Sequence, residues 1–552
     1  MMLGSLRRDP AWLMLALGAV ALLGYFLLWP VLSMLTSSLF NKEGQFGLHG
    51  YVQFFSEPAY RESLFNTLWL GAAVTLLSLV LGAGLALAAA RFSFPLAACL
   101  GVLPLLTLVI PDVVVAAAWI VVLGKQGVLN SLLAPLGLEL PSLYSWWGLV
   151  FVMTLNNYVY AYVAVLVGLK SMDRNLEEAG LSLGSSPVRT LRTVTFPLMV
   201  PALCGAAVLV FMHVIGDFGV PAILGARTPV LAVKTYNEFV SEMGGNPQMQ
   251  TTMASLLVFL GLALLLIQKW VVARRTYQME SGRAPERVSL RAWQAAVCAT
   301  LVSILIVLSV LPVMVVIVTA FTPSIGPVLK YGGFTLSHMQ QALVQAPGPL
   351  YNSLLLGAAA TSAGAVFSIV AAYLIVKRPS GLSAGLDLLV MLPLTIAGTV
   401  LGIALINVFN SGWLVLTGSW VIMALAYFLR RVPTSVRAAM GPLHNLRNSI
   451  EEASISLGVA PMPTFAKVVL PVVWPAVIAA TVLMWITTLS ELSATVVLYF
   501  GGMSTLPIEV FQLVDSGRLA QASAYSLVLL MAIFLPLLLT RFVFKVKVGW
   551  TQ

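Results

Sequence analysis

The chain has 552 residues, 59% of them hydrophobic and only 9% charged, with 30 Lys and Arg against 20 Asp and Glu. A soluble domain carries about 25% charge, and no soluble fold hides this much apolar surface, because accessible area shrinks too slowly with chain length. A water-exposed globular domain is thereby excluded, and the net charge of +10 has to be explained by where the basic residues fall.

The apolar residues come in long blocks, among them 12–35, 64–90, 295–320 and 472–489. Each is near or above the ~20 residues that carry a helix across a ~30 Å hydrocarbon core. Only closed hydrogen-bonding structures span lipid, and continuous apolar runs specify helices rather than the alternation of a barrel. The expected fold is an all-α integral membrane protein with about 12 transmembrane helices. In chain order the spans are 12–38, 62–90, 97–123, 146–168, 198–218 and 252–273, then 294–320, 350–376, 385–408, 413–432, 472–498 and 522–543. The first run is too long for a signal-peptide core and is read as a retained anchor.

Starting from a cytoplasmic Arg7-Arg8, twelve spans leave both termini inside. Only Lys42, Arg61, Lys125, Arg227, Lys234, Lys330 and Arg518 then fall outside, which is the positive-inside bias. Topology accounts for the basic balance, with membrane lipid as the environment and no nucleic-acid partner. Cys99, Cys204 and Cys298 lie in or beside apolar runs without metal-ligand spacing and read as small buried hydrophobes.

The chain also repeats itself. Glu177-Glu178-Ala179-Gly180-Leu181-Ser182-Leu183-Gly184 recurs as Glu451-Glu452-Ala453-Ser454-Ile455-Ser456-Leu457-Gly458, 274 residues later. The offset persists from Pro197 to Pro471, Pro201 to Pro475 and Asp217 to Glu491. Upstream it becomes 282, from Pro30 to Pro312 and Pro111 to Pro393, so 8 extra residues are assigned to the loop 127–145 of the first half. The organisation expected is a first six-helix half over 1–273, a cytoplasmic linker over 274–293 and a second half over 294–552. Both halves start on the same side, so the two six-helix repeats are parallel, related by an axis along the membrane normal.

Each repeated loop reads as a short helix, a glycine break and a second segment leading to a proline at the next span. Glycine permits a sharp turn, and proline is tolerated in a helix's first turn. The acidic pairs suit a helix N-terminus, and Leu181, Leu183, Ile455 and Leu457 offer apolar side chains to a partner's groove. One copy alone would read equally well as an amphipathic loop on the membrane surface; two copies before equivalent spans favour a dock.

These loops resemble the "EAA" motif of permease subunits in binding-protein-dependent ABC importers, and the resemblance extends over both halves. It implies coupling helices seated in two ATPase subunits on the cytoplasmic side, and a solute-binding protein on the outer side. The matching residues are Glu178, Ala179, Gly184 and Pro197, with Glu452, Ala453, Gly458 and Pro471. The setting implied is a bacterial cytoplasmic (inner) membrane. The chain has no Gly-x-x-x-x-Gly-Lys-[Ser/Thr] loop, so ATP hydrolysis is assigned to a separate polypeptide and no cofactor is expected.

Ionisable residues inside spans are candidates for the pathway, because burying charge in lipid is costly. Asp217 and Glu491 are repeat-equivalent acids; Asp112 follows Pro111, and His213 lies one helical turn before Asp217, positioned to pair with it. Arg430 and Arg431 take the places of Asn156 and Asn157 and are expected to snorkel toward the cytoplasmic surface, with contact to an anionic substrate as the alternative. The surroundings Asp217-Phe218-Gly219-Val220-Pro221, Glu491-Leu492-Ser493-Ala494-Thr495 and Leu506-Pro507-Ile508-Glu509-Val510 resemble fused permeases of the ferric-iron importer group. Similar relatives carry 2-aminoethylphosphonate, thiamine, polyamines or sulfate. Carboxylates suit a hard cation or a cationic amine; no metal ligands are assigned. The rival from another class is an ion-coupled secondary transporter, which needs no motor dock.

Overall fold

A computed structural model of the chain describes residues 9–40, 44–101, 103–241, 246–273, 288–325, 328–330 and 332–544. Arg7, Arg8, Lys42, Lys545, Lys547 and the linker stretch 274–287 lie outside the described residues. What is described is almost entirely helical. Ten helices are long and apolar enough to cross a bilayer, and an eleventh crossing arises if a pair bent by 112°, Gly381–Thr395 with Gly398–Phe409, counts as one span.

Each of the twelve expected spans has a helix at its place, with three differences. The third and ninth are broken, the third into Leu103–Val109 and Asp112–Leu123. The break falls at Pro111, which lacks the N–H a continuous helix needs. The tenth is Trp420–Asn445 rather than 413–432, and Arg430, Arg431 and Arg437 keep it from being apolar throughout. The fifth and eleventh start earlier than expected. Helix is continuous over 187–216 and 461–489, through π turns at Leu191–Thr195 and Phe465–Val469. Pro197 and Pro471 therefore follow a π turn inside a helix instead of opening one. The wider turn relieves the clash of the proline ring with the carbonyl four residues back.

The helix limits reproduce the repeat. Trp146–Lys170, Arg174–Ser182 and Leu191–Thr195 recur 274 residues on as helices starting at Trp420, Asn448 and Phe465. Pro10 and Ala292, the first residues of the first and seventh spans, are 282 apart. For the third span the register differs from the sequence expectation. Asp112–Leu123 matches Gly398–Phe409, of the same 12 residues, at 286. Pro111 is thus equivalent to Ala397, not to Pro393. The loop after the third span, 124–145, is 12 residues longer than its counterpart 410–419, while the connection before the second span is longer in the second half.

The two halves are not separate in space. The first span (Pro10–Ser37) packs on the ninth, and the seventh (Ala292–Ala320) packs on the third, so each half lends its first helix to the other. Three apolar clusters are found among the described residues, each built from both halves, the smallest by Val302 of the seventh span packing among first-half side chains. In one, Trp12 of the first span is fully buried against Tyr373 and Phe465, with ring centroids at 4.5 and 5.1 Å. In another, Leu305 and Val316 of the seventh span join the third-span residues from Val113 to Ile120. The remaining faces carry exposed Leu, Val, Ile, Phe and Trp, as lipid-facing surfaces do. Cys99, Cys204 and Cys298 are free and half-buried rather than buried.

Candidate functional site

Two places carry the polar chemistry. The first is the pair of short helices after the fourth and tenth spans, Arg174–Ser182 and Asn448–Ser456. Asp173 caps the first, accepting a hydrogen bond from the Asn175 N–H at 3.1 Å. Both helices end in a glycine in the left-handed region, Gly184 at φ +83° and Gly458 at φ +85°, which satisfies the last carbonyls without a Cβ penalty. Glu178, Ala179, Glu452 and Ala453 are exposed. So are Leu183 (87%) and Leu457 (84%), with Leu181 and Ile455 beside them. These apolar side chains stand on an acidic surface that no other part of the chain covers among the described residues.

The neighbouring glutamates do the opposite work. Glu177 turns inward to a bidentate ion pair with Arg91 at the end of the second span, and Thr195 donates to it at 2.6 Å. Glu451 is buried and accepts from the Tyr373 hydroxyl at 2.9 Å. Lys377 donates to the Leu446 carbonyl and to Asn448 at the start of the second helix. Each short helix thus has an anchoring face and an open face. Sequence reasoning missed Glu177, Glu451, Arg91 and Tyr373 as anchors, because Arg91 lies 86 residues from Glu177 and no local pattern links them. Pro197 and Pro471 lie outside the short helices, each just after the π turn of the next span.

The second place is inside the bundle, where the broken third and ninth spans meet the ends of the fifth and eleventh. Asp217 caps the fifth-span helix and accepts the Gly219 N–H at 2.9 Å. Glu491, at the same point of the second half, accepts the Ala494 N–H at 3.1 Å. Asp112 opens the long segment of the third span and accepts from the Asn156 amide at 3.0 Å. His213 does not pair with Asp217; its Nε2 shares a hydrogen bond with the Tyr160 hydroxyl at 3.2 Å, and its Nδ1 has no partner among the described residues. Arg430 and Arg431 do not snorkel. Both turn inward to ion pairs with Glu491, Arg431 at 2.5 Å, because an intramembrane carboxylate gains more from a guanidinium than from any apolar neighbour.

All four sequence candidates, Asp112, His213, Asp217 and Glu491, therefore belong to one neighbourhood. The acids differ in their company. Glu491 is 2% exposed between two arginines. Asp217 has no ion pair among the described residues, since asparagines stand where the second half has arginines. Those asparagines bond elsewhere, Asn157 to the Met153 carbonyl at 2.8 Å. Among the described residues no three His, Cys, Asp or Glu side chains are grouped closely enough to hold a metal ion.

Comparison with known proteins places this geometry. Residues 78–277 match the family described as "Binding-protein-dependent transport system inner membrane component". A ferric transport system permease protein of Actinobacillus pleuropneumoniae is 25% identical over 529 residues, 94% of this chain and 77% of that one. An Fe(3+)-transport system permease protein of Haemophilus influenzae is 26% identical over 548 residues, 98% of this chain and 100% of its own length. A putative 2-aminoethylphosphonate transport system permease protein of Salmonella paratyphi A is 30% identical over 199 residues, 36% of this chain and 75% of that protein.

Proposed function

Because this chain belongs to the family of binding-protein-dependent transport system inner membrane components, we propose that it receives ferric iron from a solute-binding protein and passes it inward between two fused permease halves. The halves are 1–273 and 294–552, joined by the linker 274–293. Two separate ATPase subunits dock on the cytoplasmic side, one on each short helix. Both chain termini are cytoplasmic, and the binding protein delivers from the outer side.

The observation that carries this reading is the duplicated dock. Two 9-residue helices in one register present Glu178-Ala179 and Glu452-Ala453 outward beside exposed leucines, and both stop at a left-handed glycine. Glu178, Ala179, Gly184 and Pro197 with Glu452, Ala453, Gly458 and Pro471 are the coupling residues in this reading. Anchored from beneath by Glu177 and Glu451, the helices transmit motion of an ATPase to the second and eighth spans as rigid bodies. The motor biases inward- against outward-open states through contacts that differ between them.

Iron is favoured as cargo by the names of relatives aligned over nearly the whole chain and by the acids. Asp112 and Asp217 are oxygen donors with no ion pair among the described residues, and oxygen donors suit a hard cation. An anionic phosphonate would instead need the arginines, and both are occupied by Glu491. The test is uptake of radiolabelled iron into proteoliposomes holding the permease, its ATPase and the loaded binding protein. Uptake should require ATP; uptake driven by an ion gradient without ATP would overturn the importer reading. A parallel arm with 2-aminoethylphosphonate-loaded binding protein tests the cargo, and ATP-driven phosphonate uptake without iron uptake would reassign it.

A further inference from the structure

The two halves carry different chemistry at equivalent backbone positions. The first residue after the break is Asp112 in the third span and Gly398 in the ninth. Beside it stands Asn156 from the fourth span or Arg430 from the tenth, equivalent in the 274-residue register. In the first half the pair is a direct amide-to-carboxylate hydrogen bond. In the second half the absent side chain leaves a space, and the Arg430 guanidinium fills it. A Cβ on Gly398 would lie 1.9 Å from Arg430 Nη1 and 2.8 Å from its Cζ, and 2.6 Å from the Ser493 Cβ. Lying over the Gly398 backbone, Arg430 reaches Glu491, and Arg431 holds the other carboxylate oxygen.

This triad sits on the seam between the halves. Gly216, at the end of the fifth span, meets Ala397, the residue before Gly398: a Cβ at 216 would be 3.4 Å from the Ala397 Cα and 3.5 Å from its Cβ. Gly219 meets Leu492, the residue after Glu491, at 3.4 Å on the same measure. Gly398, beneath Arg430, and Glu491 are therefore each one residue from a contact that crosses the seam. Asp112 lies within electrostatic reach of Arg431, and Asp217 within reach of Arg430, so the arginines also attract the first half.

We propose that Gly398 is a positioning residue: lacking a side chain, it seats Arg430 on Glu491, and the seated triad holds the seam at Gly216–Ala397 and Gly219–Leu492 shut in the resting state. The proposal rests on the transport reading above. A carboxylate between two guanidiniums away from water keeps its geometry strongly, because separating the partners leaves buried charge uncompensated. With the triad intact, the break of the ninth span and the end of the eleventh move as one surface. The seam opens only when the motor moves both.

The experiment uses the full complex with ATPase and binding protein, with Cys99, Cys204 and Cys298 replaced by Ala. Gly216→Cys and Ala397→Cys are introduced as a reporter, because their Cβ separation suits a disulfide. The parent should cross-link readily without nucleotide. Gly398→Ala should lower the resting cross-link at least about tenfold, as breaking a buried ion pair requires, and raise ATP hydrolysis in the absence of loaded binding protein. Arg430→Gln, which leaves Gly398 intact, should do the same if Gly398→Ala fails to assemble. With Ser493→Gly carried in every arm to clear the second neighbour of a Cβ at 398, both changes break one contact, and the double variant should be no worse than either single variant. An unchanged cross-link in both assembled variants, or additive effects, would overturn the proposal. Loss of ATP-driven flux in the parent would count against the transport reading alone, since the cross-link reads the seam without it.

Discussion

Glu491 and Asp217 occupy one repeat position just past equivalent helices, each accept a backbone N–H from a residue shortly downstream, Ala494 and Gly219 respectively, and face different neighbours. Replacing Glu491 by Gln removes the charge that compensates Arg430 and Arg431 and leaves two guanidiniums unpaired within the bundle. Breaking a buried pair in this way costs about 3–5 kcal/mol, so the thermal midpoint of the detergent-solubilised protein should fall markedly. Asp217→Asn keeps a carbonyl oxygen to accept the Gly219 N–H and strands no cation, so it should cost within about 1 kcal/mol while lowering iron uptake. Equal losses of stability in the two variants would show that the arginines do not depend on Glu491. The repeat made these two acids legible as a pair. It set asparagines against Arg430 and Arg431 but did not disclose that the arginines turn inward to Glu491, because a register in sequence does not say where a side chain points, and a register of 282 set Leu394 rather than Gly398 against Asp112. The 286-residue register appears only when the helix break itself is seen.

At the scale of the element, the short helices were legible because their signals are local: an acidic pair, an apolar flank and a terminal glycine within eight residues. Their anchoring was not, because Arg91 and Tyr373 come from distant spans. The breaks in the third and ninth spans were hidden for another reason. Both segments on either side are apolar, and hydropathy reads them as one run. The open face gives a separable prediction. Leu183→Glu with Leu457→Glu should abolish co-purification of the ATPase while the permease inserts normally, since both side chains touch little of their own chain. Gly184→Asp with Gly458→Asp should weaken co-purification too. Space for a Cβ is open at both sites, and Asp tolerates the left-handed backbone at a cost of about 1 kcal/mol. Gly184→Asn with Gly458→Asn imposes the same backbone cost without charge. Equal loss with Asn and Asp would assign the effect to the turn; greater loss with Asp would assign it to the partner's surface.

For the whole molecule, the exchange of first spans decides how the halves depend on one another. Composition and the repeat made two six-span units legible, but a repeat in sequence says nothing about which unit each helix packs on. Here Trp12, from the first span, lies against Tyr373 and Phe465 of the other half, and Tyr373 in turn holds Glu451 at the foot of the second short helix. A half expressed alone keeps its own first helix but loses the one it borrows, exposing apolar surface shaped for a helix rather than for lipid. Cutting the chain between Ala273 and Val288 and expressing the pieces together should therefore give a complex that co-purifies from the membrane. Either piece alone should be degraded. Trp12→Ala in the split pair should weaken reassembly by on the order of 3 kcal/mol, the cost of removing a buried aromatic side chain, whereas Leu17→Ala, an exposed position on the same helix, should leave it unchanged. Stable accumulation of each piece by itself would mean that the borrowed helix is dispensable. The path from Trp12 to the second short helix would then not be the route by which one half senses the other.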